Sequence, residues 1–200
     1  MIPSELSSHD KRFKMSHLDG GKGRIPNLLG PFIWLKDANI INPCFNVNEP
    51  TVIPSLTIKG DDFKAYFLDT GLLYSLTFPK VNNNELFYKS IIIDKLHINE
   101  GMFAENYVSQ ALFNNGNKLY FYVKRNQTTY KTEMEIDFLM LINNKITPIE
   151  VKSGELINIK SLKKFKEKFP FSSDGIVLYE GDIKTIDNVI YLPIFVASLL

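Results

Sequence analysis

Apolar residues recur at helical spacing through INEGMFAENYVSQALFNNG (98–116), which predicts a helix closed by asparagine and glycine. The period then shortens. NKLYFYVKR (117–125) predicts a strand, MEIDFLMLINNKITPIEVK (134–152) a hairpin, and NIKSLKKFKEKF (158–169) an amphipathic helix with Ile159, Leu162, Phe165 and Phe169 as its core stripe. GIVLYE (175–180) and NVIYLPI (188–194) predict final strands. The order from residue 101 is therefore helix, three strands, helix, strand, an α/β module with a mixed sheet.

Upstream, IPNLLGPFIWLKDANI (25–40) predicts a short helix ending near Asp37, with Gly30 and Pro31 interrupting or kinking it. IINPCFNV (40–47) and TVIPSLTI (51–58) are short runs split by Pro and Asn, as for a hairpin with edge character. FKAYFLD (63–69) predicts a strand and TGLLYSLTF (70–78) a short helix. The asparagine-rich PKVNNNEL (79–86) marks a loop and a domain boundary, giving units 1–80 and 81–200.

A chain of 200 residues with 44% hydrophobic and 22% charged residues has the composition of an ordinary globular protein. Cys44 is the single cysteine, so an internal disulfide is excluded. No apolar run reaches the length of a membrane span or signal sequence, and a cytoplasmic setting is the default expectation. The net charge of +1 supplies no global basic field, so contact with nucleic acid would depend on local patches.

The candidate chemistry lies in the hairpin. If Asn143 and Asn144 form a two-residue turn, Ile142 faces Lys145, Leu139 faces Pro148, Asp137 faces Glu150 and Glu135 faces Lys152. Glu150 and Lys152 project together, because alternate strand residues share a face. Two opposed carboxylates cost roughly 0.2–1 kcal/mol, so a cation is implied. The preceding helix adds Glu105, on the arc shared with Gly101, Val108 and Leu112 that faces the sheet. A carboxylate there needs a partner. Two readings follow: internal salt bridges, with Lys152 as the cation, or a site for a divalent metal with hard oxygen ligands and a lysine beside it.

Glu105 on a helix, then EID, then IEVK resembles the PD-(D/E)XK, restriction-endonuclease-like superfamily. The resemblance implies that Asp137 is the first motif acid, Glu150 and Lys152 the acid and lysine of the second, and Glu105 the helix acid. It implies Mg²⁺ or Mn²⁺ held by Asp137 and Glu150, assisted by Glu105, with Lys152 orienting a water. Over nearly the whole chain, KRFKMSHLDGGKGRIPNLLGPFIWLKDANII, FKAYFLDTGLLYSL, GMFAENYVSQAL, FYVKRN, EIDFLM and PIEVKSG resemble the C-terminal region of bacterial and archaeal AAA-type ATP-binding proteins. That region joins the end of a winged-helix-like segment to a nuclease-like domain of unknown function. The preceding ATPase domain and the first helices of the winged helix have no counterpart here, so a cut fragment or a shortened protein is expected. An ATPase domain or subunit is the implied partner.

Residues 145–168 carry seven lysines against three acids. Lys160, Lys163 and Lys164 lie outside the helix core stripe and form either a solvated face or a phosphate-contacting patch, with Arg125 as a further candidate. LDGGKGR (18–24) lacks the phosphate-loop spacing, and His9, His17 and His97 are scattered. The leading reading is a metal-dependent phosphodiesterase module acting on nucleic acid. Its rival is a non-catalytic module of the same fold that binds nucleic acid or protein and partners an ATPase. A purely structural fragment, with the acids in internal salt bridges, is the third.

Overall fold

The computed structural model describes residues 13–14, 26–51, 53–78, 100–126, 128–129, 131–154 and 158–200. The loop at 79–86, the three histidines and LDGGKGR lie outside the described residues. Among the described residues, nine strands form one mixed sheet in the order β1-β3-β2-β4-β5-β6-β7-β9-β8. They are β1 (Phe13–Lys14), β2 (Ile41–Val47), β3 (Ile58–Phe67), β4 (Leu119–Arg125), β5 (Thr132–Ile142), β6 (Lys145–Val151), β7 (Ile176–Tyr179), β8 (Lys184–Ile186) and β9 (Val189–Pro193). The helices are α1 (Pro26–Asp37), α2 (Thr70–Thr77), α3 (Glu100–Asn114) and α4 (Lys160–Lys168).

The expected order from residue 101 is present as α3, β4, β5, β6, α4, β7. Asn143 and Asn144 both take positive φ (50° and 60°), and the β5–β6 ladder pairs Ile142 with Lys145, Leu139 with Pro148 and Phe138 with Ile149. The register counted outward from the asparagine turn is thus the one adopted, since an Asn pair tolerates the left-handed region that a tight hairpin demands. A second such turn, at Asp187 and Asn188 (φ 51° and 64°), joins β9 to β8, a fully exposed strand whose lack of a buried face removed the pattern that would have predicted it.

The upstream elements differ in detail from those the sequence led us to expect. β2 is an interior strand between β3 and β4, and its antiparallel partner is β3, while PSLT (54–57) forms a 3-10 turn leading into β3. Pro43 is accommodated because pairing with β4 begins only at Cys44. Helix α1 runs through Gly30 and Pro31, both exposed, so the ring meets no packed neighbour. The segment expected to be winged-helix-like contributes β2 and β3 to the main sheet. Ile41, Cys44, Phe63 and Tyr66 share a core with Met102, Val108, Leu112 and Ile149, so the boundary expected near residue 80 does not divide two cores among the described residues.

Two clusters of buried side chains separate the helices. One includes Val108 and Leu112 of α3 with Phe121, Phe138, Ile149 and Leu178, and the other Leu162 and Phe165 of α4 with Tyr122, Ile136, Ile146 and Val177. Helix α3 is locked in place by polar clamps. Asn106 accepts from the Phe67 backbone N–H (2.8 Å) and donates to the Phe67 carbonyl (3.2 Å) and to Thr70 Oγ1 (3.1 Å). One turn on, Gln110 Oε1 accepts from both the backbone N–H and the hydroxyl of Thr70. Because Asn106 is wholly buried, Asn106→Ala should leave the Phe67 amide and carbonyl without partners and cost roughly 2–3 kcal/mol, read as a lower denaturation midpoint with unchanged slope.

Candidate functional site

The clamp at Asn106 fixes the phase of α3 and so aims its neighbour Glu105 at the sheet, where it is 6% exposed. Its Oε2 accepts from the Tyr66 hydroxyl (3.0 Å) and lies 3.9 Å from Lys64 Nζ. Lys64 is entirely buried. Its ammonium sits 2.8 Å from Glu135 Oε1, an ion pair whose angles are poor for a directed hydrogen bond, 3.9 Å from Asp137 Oδ1, and over the ring of Phe121. Burial alone would strip its proton, but Glu135, Glu105 and Asp137 together outweigh burial and hold the proton on. Burial first, and Glu105 second, also keep the Tyr66 hydroxyl protonated, as its donated hydrogen bond requires.

Asp137 lies just past the end of the β5–β6 ladder, next to the irregularity at which Tyr120 pairs with Leu139 and Tyr122 with Ile136. There its Oδ2 accepts from the Val151 backbone N–H (2.9 Å) while Oδ1 faces Lys64. On the other side, Lys152 Nζ donates to Glu150 Oε2 at 2.6 Å. Glu150 is buried, and its second oxygen, Oε1, is buried with no hydrogen-bond partner among the described residues. Burial, then Glu105, raise the Asp137 carboxyl to about 6, and burial, then Asp137, raise Glu150 to about 8. Burial lowers the Lys152 ammonium, but Glu150 and Asp137 outweigh it and the net shift is upward.

Asp137 therefore links two groups: Lys64, Glu105, Glu135 and Tyr66 toward β3 and α3, and Glu150 with Lys152 on β6. Of the residues singled out in the sequence, Asp137, Glu150 and Lys152 lie on the β6 side of this cluster, and Glu105 meets Asp137 across Lys64. The structure does not oppose Glu135 to Lys152: the β5–β6 ladder ends at Phe138 and Ile149, and Glu135, paired with Val123 of β4, reaches Lys64. Lys163 is paired with Asp187 (3.1 Å), Lys164 donates to the Glu133 carbonyl (3.2 Å), Lys160 is exposed at the start of α4, and Arg125 ends β4 in a half-buried position. Lys164 lines a cleft with Lys124, Thr132, Glu133 and Lys168 at the start of β5, apart from the carboxylates.

Lys64 and Tyr66 escaped the sequence reading. The available signal was FKAYF, in which lysine and tyrosine share one face of an otherwise apolar strand, and a buried ammonium demands acids.

Whether these residues suit a divalent cation divides by ligand. The orphaned Glu150 Oε1 and the raised proton affinities of Asp137 and Glu150 are those of hard oxygens short of positive charge. Glu105, by contrast, is already engaged by Tyr66 and Lys64, and no group of three or more His, Cys, Asp or Glu side chains able to hold a metal stands together among the described residues. Asp137 and Glu150 are thus the carboxylates left short of positive charge; a cage including Glu105 does not form among the described residues.

Fold and site together define a mixed α/β protein with a buried carboxylate–lysine cluster. Residues 100–195, the stretch that begins with α3 and includes β9, match a family model described as "Domain of unknown function (DUF4143)". No curated protein and no solved structure matches the chain. No described helix is long and apolar enough to cross a membrane.

Proposed function

We propose that the chain is a metal-dependent phosphodiesterase module acting on nucleic acid, with a restriction-endonuclease-like core and an AAA-type ATPase domain or subunit as its partner. The observation that carries this reading is the orphaned, buried Glu150 Oε1 beside Asp137, with the Lys152 ammonium 2.6 Å from the other Glu150 oxygen. Scaffold carboxylates gain nothing from such a position, whereas Mg²⁺ or Mn²⁺ supplies the missing charge and, when bound, activates a water toward a phosphodiester. Asp137 and Glu150 would be its ligands. Asp137 is oriented by the Val151 N–H, and Lys152 is placed to hold the attacking water and to offset charge developing on the phosphoryl oxygens. Lys160, Lys163, Lys164 and Arg125 are the proposed contacts for the nucleic-acid backbone.

One observation favours the non-catalytic alternative. Lys64 already neutralises Glu105 and Glu135, as a module that had exchanged its metal for an internal cation would require. The deciding experiment is incubation of the chain with labelled single- and double-stranded DNA and RNA in Mg²⁺ or Mn²⁺, with and without an added AAA-type ATPase. Cleavage that disappears in Asp137→Ala is the expected result. Absence of cleavage under every condition, with nucleic-acid binding intact, moves the reading to the binding module.

A further inference from the structure

We infer that Lys64 is the site's built-in cation and a positioning residue: its ammonium secures the Glu105–Glu135 side of the cluster and leaves only the Asp137–Glu150 side for an exogenous divalent ion. This rests on the proposed metal-dependent reading and specifies how the charge is divided within it.

The argument is geometric. Lys64 projects from the middle of β3, opposite Cys44 of the interior strand β2, and is wholly buried. No solvent reaches its ammonium, and it contacts three carboxylates from two elements, Glu105 of α3 and Glu135 and Asp137 of β5, at 2.8–3.9 Å. A lysine whose task was only to join β3 to β5 would need Glu135 alone. By standing 3.9 Å from both Glu105 and Asp137 it separates the helix acid from the strand acid that the motif would otherwise unite on one ion. The Tyr66 hydroxyl, two residues along the same face of β3, reinforces the division by holding Glu105 Oε2. Asp137 is the shared wall: one oxygen faces Lys64 and the other is turned to Val151 and β6.

A fixed positive charge beside a ligand weakens cation binding there, and removing it strengthens binding. The prediction for Mn²⁺ titrated into the full chain is therefore a pair of opposite shifts. Lys64→Met should raise Mn²⁺ affinity about tenfold or more, because Asp137 loses a competing cation. Glu135→Gln removes the nearest counter-charge of Lys64 and should lower Mn²⁺ affinity, by about threefold to tenfold. A merely structural lysine gives neither the rise nor the opposition of signs. Circular dichroism and cooperative melting establish that each variant is folded; should Lys64→Met not fold, Glu135→Gln, at a position one quarter exposed, carries the test by its sign.

Wild-type binding with affinity unmoved or weakened in folded Lys64→Met, or unmoved in Glu135→Gln, overturns the inference and leaves the metal-site reading standing. No binding by wild type but binding by Lys64→Met supports the role of Lys64 and removes the metal-dependent function. No binding by either overturns both.

Discussion

Lys152→Ala should bind Mn²⁺ at least as tightly as the unaltered chain and yet cleave a labelled nucleic acid about a hundredfold or more slowly. The two halves come from one contact. Lys152 Nζ lies 2.6 Å from Glu150 Oε2, so the ammonium neutralises a ligand oxygen in the resting protein and opposes, more than assists, arrival of a cation. Its removal therefore does not weaken metal affinity and should, if anything, raise it. In the transition state the same charge would face the attacking water and the developing phosphoryl charge, and loss of one preorganised group of that kind costs about 10²–10³ in rate. Single-turnover cleavage beside a Mn²⁺ titration of the same variant makes the check. Equal losses of binding and rate would mean that Lys152 only holds Glu150 in place.

The second large effect is on stability. In metal-free buffer the chain should lose heat resistance as pH rises from about 5 toward 8. Asp137, raised to about 6, and Glu150, raised to about 8, bind protons more tightly folded than unfolded. The native state therefore holds the excess protons across this window, and raising pH draws the equilibrium toward the unfolded chain. Below the ordinary carboxylate range both states are protonated and the penalty vanishes; above pH 8 it is complete. Mn²⁺ replaces the lost protons with positive charge. At a hundredfold excess over Kd it should return roughly 3 kcal/mol, about 5–10 °C for a chain of this size. Melts in chelator and in Mn²⁺ across that pH range should show both effects in wild type; Glu150→Gln should lose the Mn²⁺ effect and keep only the part of the pH effect near pH 6 that Asp137 supplies. A flat profile, or an equal Mn²⁺ shift in Glu150→Gln, contradicts the assignment.

Much of this site was legible before any coordinates. Asn143 and Asn144 fix the β5–β6 register, and that register carries Asp137 toward Glu150, because a two-residue turn admits only one way of counting outward. Helical phase in α3 likewise placed Glu105 on the buried face. What stayed illegible depends on partners distant in sequence. Lys64 is 71 residues before its closest acid, Glu135, and nothing local to FKAYF announces three carboxylates waiting across the core. Glu135 was assigned to Lys152 because counting assumes an unbroken ladder, and the end of the β5–β6 ladder at Phe138 and Ile149 is invisible to periodicity. The interior position of β2 was hidden for a similar reason: Pro43 marks an edge unless the neighbouring strand begins one residue later.

The most direct test of the central claim is calorimetric titration of the full chain with Mn²⁺ near pH 8, where Asp137 has lost its proton and Glu150 is about half deprotonated, repeated on Asp137→Ala and Glu150→Gln. The account predicts one saturable site in wild type, absent from both variants while each still melts cooperatively. Binding that persists unchanged in Asp137→Ala and Glu150→Gln, or no binding by the wild-type chain, would contradict it.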